Sequence, residues 1–144
     1  MSGIEPFTSE MLERNFREHE VLANRFDDGP YRFQYEYSED CDCELSYSIV
    51  APTDEYRCLD IRGRSDKFFP AHRRATVLDW IDEFHRNRRM PLVYIREQGR
   101  RLRIETATIV DFSAGTHAAL LSETIACFCS CTFDFWRFVA EKDR

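Results

Sequence analysis

The spacing of apolar residues in the first half of the chain predicts one helix followed by three β-strands. Thr8 or Ser9 can cap a helix that ends before the strong turn signal at residues 27–30. Apolar and polar residues then alternate, which is typical of strands that bury one face, over residues 31–37, 45–51 and, less regularly, 56–63. The polar links between these three segments are short, so we expect an antiparallel arrangement.

The second half of the chain predicts a helix, two strands and a final helix. One helical stripe is formed by Val77, Trp80, Ile81 and Phe84. This helix must end before Pro91, because the residue before a proline disfavours helical geometry. Residues 92–97 and 102–110 then form two strands joined by a tight turn, and Ile104 lies at an inward position of the second strand.

These elements together predict the fold class. We expect an α+β domain with the order α-β-β-β-α-β-β-α, in which helices pack on an antiparallel sheet of about five strands. Trp80 and Phe84 from the middle helix and Ile104 from the last strand are predicted core residues.

The last predicted helix has more apolar surface than a helix lying on a sheet needs. One stripe is formed by Leu121, Ile125, Phe128, Phe135 and Val139. Flanking residues widen the apolar arc to about 200°, and Phe133 falls outside even this arc. We therefore predict Leu121, Phe128 and Phe135 as core residues, and a dimer or partner interface formed by Cys129, Phe133 and Trp136. The alternative is a helix held between the sheet and the first helix.

Composition and charge limit the number of domains and the kinds of partner. The 144 residues fit a single domain over residues 1–144, with 1–7 as a flexible lead-in and no linker or internal repeat. The net charge of −6 disfavours nucleic acid and anionic membranes as partners. Neither an apolar run long enough to span a membrane nor a signal-peptide pattern is present, so we expect a cytoplasmic protein.

The six cysteines are the first candidates for chemistry. On the last helix, Cys129 points roughly 160–200° away from Cys127 and Cys131, so these three residues cannot converge on one metal ion. Reduced, buried thiols without metal or cofactor are therefore the favoured interpretation. A four-cysteine zinc site, built from Cys41, Cys43, Cys127 and Cys131 across the sheet, stays open as the alternative.

The remaining polar residues form no recognisable catalytic set. The four histidines are isolated, and neither a nucleophile elbow nor a phosphate-binding glycine loop occurs. A local basic cluster is made of Arg86, Arg88, Arg89, Arg96, Arg100, Arg101 and Arg103. It lacks interleaved aromatic residues, which favours a solvated surface over a nucleic-acid site. We expect a protein that is not an enzyme and has no catalytic residues.

Several motifs in the second half occur in a recognisable order. After Trp80, the run Arg-Asn-Arg-Arg-Met-Pro-Leu-Val-Tyr-Ile at residues 86–95 joins a helix end, a proline and a strand. Shorter motifs follow at Leu102-Arg103-Ile104-Glu105, Val110-Asp111-Phe112, Gly115-Thr116 and Leu120-Leu121. Through these motifs residues 77–141 resemble the YbjN family, also described as bacterial sensory transduction regulators. The first 65 residues fit the family in layout, and Ala118-Ala119 stands where the family often has Gln.

The resemblance implies a type III secretion chaperone-like α+β fold and a non-enzymatic role in regulation or stress. It brings no catalytic residues. Secretion chaperones of this fold dimerise and bind extended peptide segments, which is an analogy at the level of the fold. Two hypotheses follow. One is a homodimeric regulatory module that holds a protein or peptide segment, and the other is a thiol- or zinc-dependent protein that uses the four cysteines.

Overall fold

A computed structural model describes residues 3–144 as one antiparallel sheet with three α-helices packed on one of its faces. The helices are α1 (Ser9–Glu18), α2 (Arg74–Asn87, after a single 3-10 turn at Ala71–Arg73) and α3 (Ala118–Lys142). The strands are β1 (Asn24–Arg25), β2 (Tyr31–Ser38), β3 (Cys43–Ile49), β4 (Cys58–Ser65), β5 (Phe69–Pro70), β6 (Leu92–Gln98) and β7 (Arg101–Asp111). They lie in the spatial order β1-β2-β3-β4-β7, and β5 and β6 both pair with β7.

The α+β class and the antiparallel sheet are confirmed, but the described chain has seven strands where about five were predicted. The two additional strands, β1 and β5, have two residues each. They extend the pairing at the starts of β2 and β7. Segments this short have no periodicity that a sequence pattern can reveal.

α3 approaches the sheet closely over β4 and β7. Thr132 of the helix and Thr106 of β7 share a buried hydrogen bond of 2.9 Å between their hydroxyl groups. A Cβ atom at Gly63 of β4 would stand 2.7 Å from Thr106 Oγ1 and 3.2 Å from Thr132 Cγ2. The absence of a side chain at Gly63 therefore allows this helix to pack at short range.

The other two helices are fixed to the same layer. Thr8 caps α1, because its hydroxyl accepts a hydrogen bond of 3.2 Å from the Met11 N–H. Asn15 of α1 donates a hydrogen bond of 2.7 Å to Ser122 of α3. α2 packs against α3 through Phe84, whose ring meets the Phe135 ring edge-on at 5.0 Å. All six predicted core residues are buried: Trp80, Phe84, Ile104, Leu121, Phe128 and Phe135.

Trp136 requires a correction, because it is fully buried within the protomer and is not available for an interface. α1, α2 and β4 all contact α3. The wide apolar arc of this helix is therefore covered largely from inside the chain, as the alternative of a sandwiched helix predicts. Cys129 and Phe133 are half-buried and pack against the same core.

The outer end of β2 also differs from expectation. Tyr31 and Phe33 are buried, but Tyr35 and Tyr37 are exposed although they share the same alternation. The pairing of β2 with β3 becomes irregular between Tyr35 and Ser38, which breaks the regular sheet at this end.

The segment before α1 is tied to the domain rather than flexible. The N–H of Glu5 donates to the Thr116 carbonyl at 2.7 Å, and the N–H of Thr116 donates back at 2.9 Å. Phe7 is fully buried, with its ring 5.4 Å from that of Phe112. The prediction of a flexible lead-in at residues 1–7 is thus wrong for 5–7, while residues 1–2 lie outside the described chain.

By length and composition alone, α3 could cross a membrane, since it has 25 residues and an apolar stretch of mean hydropathy 1.3. The sequence expectation of no such candidate is corrected to this one helix. Core helices of soluble proteins have the same property, and 22% of this stretch is buried in the domain, including Leu121 and Phe128. The helix is therefore consistent with a soluble protein.

Candidate functional site

The face of the sheet that points away from the helices is polar. Alternation along each strand sends one set of side chains toward the helices and the other set outward. Outward positions are occupied by Arg32, Gln34, Ser46, Ser48, Asp60, Arg62, Arg64, Arg96, Arg103 and Glu105. We call this set of residues the open face.

A groove of about 760 Å³ lies on the open face. Its charged lining residues are four arginines and two glutamates: Arg32, Arg62, Arg64, Arg96, Glu36 and Glu105. The groove therefore has an excess of positive charge, although the whole chain has a net charge of −6.

The strand register explains the shape of the groove. Ser48 of β3 pairs with Arg32 on one side and Arg62 on the other. One step along β3, Ser46 pairs in the same way with Gln34 and Arg64. Because neighbouring strands lie about 4.8 Å apart, the long side chains on β2 and β4 rise roughly 10 Å apart. The short serines of β3 form the floor between them.

Several of these arginines lack a neutralising partner. Across residues 3–144, no carboxylate lies within ion-pair distance of Arg32 or Arg64. Arg62 reaches Asp60 at 3.7 Å, and Arg96 pairs with Glu105 at 3.2 Å. The groove thus presents the guanidinium groups of Arg32 and Arg64 without a carboxylate partner, beside two arginines that are paired within the sheet.

Glu105 is one of two buried carboxylates of the open face, with 7% of its surface exposed, and the other is Asp60. The Tyr94 hydroxyl donates a hydrogen bond of 3.2 Å to Glu105 Oε1. Partial burial, followed by the neighbouring Glu105 carboxylate, raises the pKa of Tyr94, so this tyrosine stays a donor. Glu105 is therefore held by Tyr94 and Arg96 and does not neutralise the arginines on β2 and β4.

Phe68 stabilises two more arginines at the end of the open face. The guanidinium carbons of Arg101 and Arg103 lie 4.3 and 4.5 Å from the centre of its ring. Burial, and then repulsion from Arg64, lowers the pKa of Arg103. Burial is the larger cause of this shift, and the like charge of Arg64 adds to it. An anionic ligand would relieve this repulsion.

A small apolar patch adjoins the groove. Leu92 of β6 and Ile109 of β7 are 61% and 58% exposed and point outward. Leu92 pairs with Ala107, and Ala107 pairs with Arg62 on its other side. Positive and apolar surfaces are thus contiguous on the open face.

The structure separates the cysteines that the zinc alternative requires. Cys127 and Cys131 come together, with 4.0 Å between their sulfur atoms. Cys41 lies beside the Phe133 carbonyl, and burial raises the pKa of Cys43 to about 12, so this residue remains a neutral thiol. In the part of the chain that is described, no three or more His, Cys, Asp or Glu side chains form a metal-binding group. The four-cysteine set is not assembled.

Cys129 faces away from its two neighbours on the helix, as the helical spacing predicts. It is half-buried beside Tyr47, whose hydroxyl donates a hydrogen bond of 3.4 Å to the Cys129 carbonyl. Burial raises the pKa of the Cys129 thiol to about 12. A neutral thiol in this position fills space against the sheet and has no reactive character.

The arginine cluster predicted from the sequence divides into two groups. Arg86 and Arg88, at the end of α2, pair with Asp82 and Asp134 at 3.0 and 3.5 Å. Arg96, Arg101 and Arg103 belong to the open face or its margin. The sequence interpretation missed Arg32, Arg62 and Arg64, which the register of distant strands brings beside them. These three arginines alternate with the inward residues of β2 and β4, and this alternation could have predicted that they point outward.

Comparison with protein-family models gave no matching family, and a search of curated proteins gave no significant match. The resemblance to the YbjN family therefore stays a prediction.

Proposed function

We propose that this protein is a non-catalytic binding module that holds an acidic, extended segment of a partner protein in the groove. The observation that supports this most directly is a groove with more arginines than carboxylates on the outer sheet face of an otherwise acidic chain, in which Arg32 and Arg64 have no carboxylate partner among residues 3–144. The proposal assigns the partner's carboxylates to Arg32, Arg62 and Arg64, and no catalytic residue.

The chemistry of arginine favours carboxylates as the bound groups. A guanidinium presents a planar fork of donors that matches a carboxylate in a bidentate arrangement. In an extended segment, alternate side chains point to the same side, about 6.6–7 Å apart. The positions of Arg32, Arg62 and Arg64 on neighbouring rows of the sheet suit a segment with repeated acidic side chains.

The adjoining apolar patch suggests the second component of the segment. Leu92 and Ile109 expose apolar surface next to Arg62. An aliphatic side chain of the partner segment, placed after its acidic residues, would be buried against this surface, which favours binding. A partner segment that is both acidic and apolar is therefore preferred over a uniformly charged one.

A protein segment is favoured over a nucleic acid for two reasons. Single-stranded nucleic acids need aromatic side chains on which bases stack. On the open face, Tyr94 is already bonded to Glu105, and the Phe68 ring is already in contact with Arg101 and Arg103. The net charge of −6 also opposes the approach of a long polyanion.

The wider role in this proposal follows the family resemblance. A YbjN-like regulator with a secretion chaperone-like fold would act as a homodimer in the bacterial cytoplasm, in stress or signalling regulation, by holding a segment of a client protein. This is analogy, and the groove gives it a specific surface on which it can be tested.

The test is binding of a short fluorescent peptide with alternating glutamate and valine, measured by anisotropy. The variant Arg32→Glu/Arg64→Glu should weaken binding by at least about tenfold, because two surface ion pairs are replaced by repulsion. The control Arg17→Glu/Arg144→Glu makes the same change of charge at two exposed helix-end positions away from the groove. Equal weakening in both variants, or stronger binding of a single-stranded oligonucleotide, would contradict the proposal.

A further inference from the structure

Three sulfur atoms from two different elements meet at the solvent-facing side of α3. The Cys127 sulfur lies 4.0 Å from that of Cys131 and 4.0 Å from the Met90 sulfur. Cys127 is exposed, and Cys131 is half-buried. This group shares no residue with the open face.

The backbone positions of the three residues are set by packed elements. Cys127 and Cys131 are four residues apart on α3, so they lie one above the other on the same side of the helix. Met90 belongs to the short link between α2 and β6, and buried residues on both sides, Phe84 and Val93, anchor this link to the core. Little ordering is therefore needed to bring the three sulfurs around one ion.

The spacing fits a metal ion with three sulfur ligands. Three sulfurs placed in a plane at about 2.3 Å from a metal lie about 4.0 Å from one another. The two sulfur–sulfur distances that involve Cys127 both have this value. Contact between two cysteines alone would be an ordinary helical neighbour pair, and the Met90 thioether, from the link between α2 and β6, adds a third sulfur beside Cys127.

We propose that Met90, Cys127 and Cys131 form a binding site for one Cu(I) ion. Two thiolates and a thioether are the soft ligands that Cu(I) prefers. Zinc would need a fourth ligand, and among residues 3–144 no histidine or carboxylate joins the cysteines in a group of three or more. Binding releases the two thiol protons to solvent and changes no oxidation state, since copper enters as Cu(I).

This site differs from the zinc set considered for the sequence, because Cys41 and Cys43 do not take part. It also replaces the expectation that the cysteines bind no metal. The tests of the copper site and of the groove are independent, because no residue is common to the two.

The experiment is an anaerobic titration of the reduced protein with Cu(I) in competition with a chromogenic Cu(I) chelator. We expect one Cu(I) per chain. Loss of a group that only hydrogen-bonds a metal ligand typically costs 10–100-fold in metal affinity, so Cys127→Ser and Cys131→Ser, which remove ligands, should each lower it by at least about 100-fold. Met90→Leu, which keeps the size but not the sulfur, should lower it by at least about tenfold.

The control is Cys58→Ser, which removes a half-buried cysteine at the start of β4 and should leave Cu(I) affinity unchanged. Circular dichroism shows whether each variant keeps its fold. X-ray absorption of the loaded wild type gives a second measurement, with three sulfur neighbours expected near 2.3 Å. Unchanged affinity in Cys127→Ser, Cys131→Ser or Met90→Leu, or nitrogen and oxygen neighbours at the metal, would overturn the proposal.

Discussion

At the residue scale, the burial of a side chain can be predicted from the sequence where it depends on the spacing within a single helix or strand. Trp80 could be predicted from helical spacing alone, because the side of α2 that bears it faces the sheet. Trp136 could not, since its burial depends on cover supplied by other elements that contact α3. Gly63 gave no signal at all, because its role appears only when Thr132 is brought over it by the fold.

Trp80→Ala should destabilise the domain severely. The ring is buried, meets Phe69 edge-on at 5.6 Å and has the Arg73 guanidinium 5.2 Å from its centre. Truncation of a buried tryptophan typically costs about 3–5 kcal/mol in the free energy of unfolding, which urea denaturation would measure. Leu78→Ala on the same helix, where 44% of the side chain is exposed, is the control and should cost much less. An unchanged stability of the Trp80 variant would mean that α2 faces the sheet with another side.

The buried thiols predict a loss of stability in alkali. Burial raises the pKa of Cys43 and that of Cys129 from 9.0 to about 12. Between these values the unfolded chain has lost both protons while the folded chain keeps them, so the free energy of unfolding should fall as pH rises. Denaturant unfolding should be measured from neutral pH to about pH 12, the upper end of this window. The free energy of unfolding should fall less in Cys43→Ala/Cys129→Ala than in the wild type. The same dependence of the free energy of unfolding on pH in the wild type and in the double variant would count against this origin.

At the element scale, the open face is produced by alternation within strands together with register between them. Alternation could be predicted for β2, β3 and β7, and it correctly sends Arg101 and Arg103 outward. The register that sets Ser48 between Arg32 and Arg62 is a long-range property, because it depends on which strands pair and at which residue. The groove therefore could not be predicted, because the sequence shows the residues that line it but does not show which strands bring them together.

The segment before α1 should behave as part of the domain. Phe7→Ala is expected to cost about 3–5 kcal/mol, because the ring is fully buried against Phe112. Ile4→Ala is the matched control, since 74% of that side chain is exposed three residues earlier. Thermal unfolding compares the two variants with the wild type. If both melt at the wild-type temperature, the pairing of Glu5 with Thr116 does not hold this segment in solution.

At the scale of the whole molecule, one continuous core joins all three helices to the sheet. The homodimer predicted from the apolar arc of α3 now depends on Phe133 and Cys129, because Trp136 is already covered. We expect light scattering at tens of micromolar, where interfaces of standard size hold, to give the mass of two chains. Phe133→Ser should shift the mass toward one chain, and Leu120→Ser, at an exposed position of the same helix, should not. A mass of one chain for the wild type would contradict the predicted homodimer.

The distribution of charge over the whole molecule predicts an unusual salt dependence for the acidic peptide. At low ionic strength the Debye length is about 30 Å at 0.01 M, so an approaching peptide is repelled by the entire net charge of −6. At about 0.15 M the Debye length is near 8 Å, and the peptide responds mainly to the arginines of the groove. At still higher salt, that local attraction is screened as well.

Peptide affinity should therefore pass through a maximum at intermediate salt. Anisotropy titrations over a series of sodium chloride concentrations would measure it. Arg32→Gln/Arg64→Gln should flatten the maximum, because the variant weakens the local attraction and leaves the net negative charge to repel the peptide at every salt concentration. A steady fall in wild-type affinity from the lowest salt upward would show that the net negative charge does not measurably repel a peptide that binds in the groove. A steady rise would show that the arginines do not contact the peptide.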